Sequence, residues 1–196
     1  MLSATECRFR TETVLSNGEG ESGSMANLKR ISANGIEVAL NKADHYRLLN
    51  EPLHAESICL DVLDVDPDNQ RATVTLLLAL TDQFPARRHD AHQQADKLIP
   101  KLVSEYDRHY YEGIINERWA CAQLERGAAT RSVPVWLGKA MSCYELAEKH
   151  SNGETPDPIL RWNACVRLKD MIPDTDAVPK LTRDIHSEFG DDLPPR

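Results

Sequence analysis

The stretch ADHYRLLNEPLHAESICLDVLDVDPDN, residues 43–69, decides the fold. Apolar or small residues fall at Ala43, Tyr46 and Leu49, then at Ala55, Ile58, Cys59, Val62 and Leu63. Steps of three and four place each set on one stripe of a helix, so two amphipathic helices are expected. Asn50-Glu51-Pro52 makes the tight turn between them. Pro52 stands just inside the second helix, where its missing N–H costs nothing. Asp66 precedes a proline and is pushed away from helical geometry, which ends that helix.

Outward from this hairpin the same periodicity predicts more helices. The first begins near residue 34 or 36 and runs to 49, with Ile36, Leu40, Ala43 and Tyr46 inward; the second covers 52–64. A third spans 69–83, with Val74, Leu77, Leu78 and Leu80 apolar. A fourth spans 87–106, and Pro100 should kink or split it. A fifth, 110–126, carries Ile114, Ile115, Trp119, Cys121, Ala122 and Leu124. A sixth, 134–150, puts Trp136, Leu137, Ala140, Tyr144 and Ala147 on one face. A seventh covers 159–171, and a short eighth, 178–189, could cap the stack. Residues 1–33 read as a disordered tail in which SNGEGESGS, 16–24, has linker composition and Met25 offers a second plausible start. The helical domain is expected over 34–190, with 191–196 frayed.

Composition agrees with one all-α domain. The 196-residue chain is 41% hydrophobic, enough to bury a core, and holds only 9 Gly. A net charge of −8 and a pI near 5.4 argue against nucleic acid or an anionic membrane as the main partner. No apolar run reaches the length of a membrane span, and the first residues lack the apolar segment of a signal peptide. Cytoplasm is therefore the expected location. Cys7, Cys59, Cys121, Cys143 and Cys165 are odd in number, form no C-x-x-C pair, and read as small thiols, four of them on inward helix faces.

Ala43, Tyr46, Ala55, Val62 and Pro67, at their spacing, resemble the tetratricopeptide repeat (TPR), a helix-turn-helix unit of about 34 residues. Counting back from Pro67 starts the repeat near Ile36. A fainter internal echo sets Arg118-Trp119-Ala120-Cys121-Ala122 against Arg161-Trp162-Asn163-Ala164-Cys165. The resemblance implies an all-α, TPR-like right-handed stack of antiparallel helix pairs: about seven helices and a short capping helix. In similar proteins the first helix of each pair lines a concave groove that holds a peptide or helix of a partner protein. In this register the groove positions are Glu37, Leu40, Asp44 and Arg47, then Arg71, Val74, Leu78 and Thr81. The branch of the family that clamps chaperone C-terminal tails uses Lys, Asn and Asn where this chain has Leu40, Asp44 and Thr75. The clamp is absent, and Asp44 would repel a terminal carboxylate. The implied function is a non-catalytic adaptor or scaffold that seats a short amphipathic segment, with no cofactor and no metal.

Two other classes stand beside it. One is a helical accessory subunit of an enzyme. The other is a small metal-dependent enzyme using His89 and His92, with His109 and Asp96 or Glu105 as further ligands. A metal site needs three or four convergent ligands, and a solvated helix start explains His89-Asp90-Ala91-His92 more simply. The acidic alternation 64–68 has Asn69 and Thr75 where a calcium loop needs Gly and Glu, so it reads as a turn. Arg87-Arg88 reads as helix-start surface, and His45, His54, His150 and His186 are scattered with no nucleophile motif beside them. Trp119, Trp136, Trp162, Tyr110 and Tyr111 have helical spacing and read as core.

Overall fold

The computed structural model describes residues 27–86, 89–127, 132–151, 153 and 155–172, the side chain of His89 excepted. Among the described residues seven α-helices follow in order: α1 (Ile36–Leu48), α2 (Pro52–Val65), α3 (Gln70–Asp82), α4 (His89–Asp96), α5 (Glu105–Glu125), α6 (Val133–His150) and α7 (Asp157–Asp170). No strand occurs among the described residues. Each helix packs on the next, and α1 also touches α3, as α3 touches α5. The expected tail segment 1–26, Arg87-Arg88 and the eighth helix lie outside the described residues.

The α1–α2 turn is built as the sequence requires. Asn50 takes the left-handed conformation (φ 59°), which Asn tolerates better than most residues. Its N–H donates to the Arg47 carbonyl (3.0 Å), and the Glu51 N–H reaches back to Tyr46 (2.9 Å), the paired closure of a Schellman turn. Ala43, Ala55, Cys59 and Val62 are fully buried. Tyr46 is half-buried against that cluster, with its ring 5.2 Å from His54. Leu49 departs from the expected stripe: it lies in the turn beyond α1 and is 55% exposed.

At 66–69 the turn is an N-cap. Asn69 Oδ1 accepts from the Ala72 N–H (2.9 Å) while its amide donates to Asp66 (2.9 Å). The helix it starts, α3, is buried on most sides: Ala72, Thr73, Thr75, Leu76, Leu77, Ala79, Leu80 and Thr81 are all inside. A helix with neighbours on several sides loses its polar face.

The expected fourth and fifth helices are divided differently. Helix α4 stops at Asp96, a 3-10 turn occupies Ile99–Lys101, and α5 begins at Glu105 rather than 110. Pro100 splits the run, as expected. The boundary missed was an N-cap, for the Ser104 hydroxyl accepts from the Asp107 N–H (3.4 Å). Residues before 34 also pack on the helices. Ile31 packs on Leu40, Val62 and Ala72, and Arg30 pairs with Asp64 at 2.8 Å.

The second half is dominated by the long α5–α6 hairpin, closed by α7. Its core gathers Ile114, Ala120, Val133, Leu137, Ala140, Tyr144 and Cys165. The five aromatics expected to be core all pack on the two main clusters, each keeping part of its surface exposed.

Candidate partner-binding face

Helix α3 packs against both α1 and α5, and polar links tie the three together. Arg71 of α3 reaches to α1. Its Nη1 donates to Glu37 Oε2 (2.7 Å) and its Nη2 to Asp44 Oδ2 (2.8 Å) and Asn41 Oδ1 (2.6 Å). Thr75 adds a bond to the other Asp44 oxygen (3.2 Å). Further along, Asp82 of α3 stands between two guanidiniums: Arg47 of α1 donates to it at 2.8 Å, and Arg118 of α5 also bonds it. Arg118 bonds the Thr81 hydroxyl at 2.7 Å as well. The same reach recurs once more, from Arg161 of α7 to Glu117 of α5 at 3.2 Å.

The sequence-predicted groove residues are therefore mostly brought together, though not as free contact groups. Glu37, Asp44 and Arg71 satisfy one another at a surface where each side chain keeps 40% or more of its exposure. Arg47 and Asp82 are more enclosed, at 19% and 22%. Val74 and Leu78 are half-buried. Leu40 is fully buried against Val62 and Ala72, so the assignment of Leu40 to the groove surface is corrected. Its burial follows from where α1 meets both neighbours: the residue that faces the groove by counting sits between Val62 of α2 and Ala72 of α3.

Beside Asp82 the face opens into a cleft of about 320 Å³, lined by Arg47, Leu48, Pro85, Arg118, Cys121 and Glu125 among others. Leu48, at its rim, is 86% exposed. Two positive and two negative groups surround an apolar edge. That mixture suits an amphipathic segment better than a single-charge ligand. Leu48 and the Arg118–Asp82 link were not among the expected groove residues. Arg118 was legible only through its echo with Arg161.

The histidines are arranged differently from the expectation. His92 is wedged among Phe84, Trp119 and Trp136, with ring centroids at 5.6, 4.5 and 5.8 Å, and its Nδ1 lies 3.2 Å from Asp96. His109 does not join it; it stacks on His150 at 5.4 Å. The His92-centred ligand set is therefore not assembled among the described residues. The cysteines divide in two: Cys59 and Cys165 are buried, Cys121 and Cys143 half-buried. Burial pushes the Cys59, Cys143 and Cys165 thiols up to about 12, and Cys121 in the same direction.

Among the described residues no helix is long and apolar enough to cross a membrane. No known protein family, curated protein or solved structure matches this chain.

Proposed function

We propose that this chain is a TPR-like helical-repeat protein that binds an amphipathic segment of a protein partner across α1, α3 and α5, as a non-catalytic cytoplasmic adaptor. The observation that carries the reading is the recurrent link between alternate helices. Arg71, Arg118 and Arg161 each reach from one helix to a carboxylate on the helix two before it. That recurrence supports reading α1, α3, α5 and α7 as the first helices of successive pairs, with their shared side as the concave surface of a repeat stack. The cleft beside Asp82 offers an apolar edge at Leu48 with charges of both signs around it, the composition of an anchor pocket with a polar rim.

The test is residue-specific photocrosslinking in cells. A crosslinking amino acid replaces Leu48 at the cleft or Leu60 on the outer side of α2, both exposed, and the adducts are identified by mass spectrometry. A discrete protein adduct at position 48 that is absent at 60, and that Leu78→Asp abolishes, supports the reading. Equal capture at both positions, or capture at 60 alone, overturns it.

A further inference from the structure

A second cluster lies at the far end of α5, well away from the cleft. Glu105 and His109 are four apart at the start of α5, so they share one helix face. His150 is the last residue of α6, which runs back alongside α5. The hairpin brings the three together: one ligand atom from each lies within 4.8 Å of the others, and His150 Nε2 is 3.7 Å from Glu105 Oε2. From Arg118, at the cleft, Glu105 stands thirteen residues away along α5, about 20 Å at the helical rise.

We propose that Glu105, His109 and His150 form a binding site for a divalent transition-metal ion, zinc in the first instance. Two imidazole nitrogens and one carboxylate oxygen are the donor set that zinc and its neighbours favour over calcium or magnesium. Tetrahedral bonds of about 2.0–2.1 Å put ligand atoms about 3.3 Å apart, so atoms already within 4.8 Å of one another need to close by about 1.5 Å at most. Two of the three are exposed and the third partly so, which leaves water to complete the coordination. The carboxylate is already oriented: Arg108 donates to Glu105 Oε1 at 2.7 Å, leaving Oε2 turned towards His150. Arg108 is itself held by the Leu102 and Val103 carbonyls, at 2.8 and 3.2 Å, so it is a fixed support of the kind that tunes metal ligands. A bound ion would join the start of α5 to the end of α6 and tie the hairpin shut.

The site is independent of the partner-binding reading and is tested on the full chain without any partner. Chelator-treated protein is titrated with zinc alone by calorimetry and with cobalt alone by absorption. One equivalent of zinc, with a rise in melting temperature, is expected. His109→Ala and His150→Ala should each weaken binding by at least about tenfold, since losing a ligand costs no less than losing its support. Glu105→Gln guards against misfolding of the histidine variants and should weaken binding too. The cobalt spectrum should show visible ligand-field bands without the near-ultraviolet band of a thiolate. His92→Ala should leave the affinity unchanged. Absence of stoichiometric binding, a thiolate band, or full affinity in the three ligand variants overturns the proposal.

Discussion

Gly113 of α5 lies against the Tyr144 ring on α6, so close that a methyl group there would stand 2.5 Å from Cε1 and 2.8 Å from Cδ1. The missing side chain lets the two helices meet over a fully buried tyrosine. Gly113→Ala should therefore destabilise, although alanine favours a helix by about 1 kcal/mol. Overpacking of this kind costs about 1–3 kcal/mol, so a net loss is expected. Urea midpoints of the two proteins decide it, and a more stable Gly113→Ala variant would place Tyr144 elsewhere.

Tyr144 also donates its hydroxyl to Glu117, a buried carboxylate that Arg161 reaches from α7. Tyr144→Phe keeps the ring and removes the donor. Hydrogen bonds to charged groups contribute about 1.5–3 kcal/mol, and a loss of that size is expected on chemical denaturation. If Arg161→Met costs as much in the Tyr144→Phe background as in the parent, the three groups are not one network.

Stability should fall at alkaline pH. Burial raises the folded-state pKa of Cys59 and Cys165 to about 12, and it raises Tyr144 as well. Above the ordinary thiol value of 9.0 the unfolded chain loses these protons first, so it binds fewer than the folded chain and stability drops as pH rises. The contribution is whole below pH 9 and declines from there towards about 12. Each fully protected thiol contributes roughly 1.4 kcal/mol per pH unit in that window. Urea midpoints at pH 7.5, 9 and 10.5 should descend only past the second; a flat series would mean that the thiols titrate freely in the fold.

The two ion-pair groups on the α1–α3–α5 face should differ in weight. Asp82→Asn leaves Arg47 and Arg118 facing each other in a partly enclosed place, and roughly 2–3 kcal/mol should be lost, less than the cost of breaking a fully buried pair. Arg71→Ala acts at a more exposed place, where pairs contribute about 1 kcal/mol or less. Thermal melts of both variants provide the comparison. A larger loss for Arg71→Ala would invert the burial argument.

Thiol labelling should follow depth. Cys121 and Cys143, each half-buried, should react before Cys59 and Cys165, which only opening of the fold exposes. Mass spectrometry of the native protein over time gives the order, and early modification of Cys59 would contradict the packing of α2.

Much of this architecture was legible in the residues. The α1–α2 hairpin followed from three- and four-residue steps, Asn50 and Pro52, because local periodicity and turn chemistry agree there. The start of α5 hangs on the Ser104 hydroxyl capping the Asp107 N–H, a polar signal that apolar periodicity does not carry. Burial around α3 was only half read: Thr73, Thr75 and Thr81 are inside because of neighbours that no local pattern announces. The charged positions read from the register lie close together, but paired with one another. Counting located Glu37, Asp44, Arg47 and Arg71, but pairing across about 30 residues decides whether a charge is free, and that lies beyond periodicity. His109 and His150 are the extreme case, since only the antiparallel return of α6 makes them neighbours.

The links that run back from Arg71, Arg118 and Arg161 share a direction: the carboxylate is always on the earlier helix and the cation on the later one. Arg47 to Asp82 runs the other way. During synthesis the chain therefore emerges with its debts of charge ahead of their settlement. Glu37 and Asp44 leave the ribosome unneutralised by their arginine until α3 follows, and Glu117 waits for α7. Over Ile36–Val65 acidic side chains outnumber basic ones, so until α3 follows, the first pair carries an excess of like charge that opposes its association.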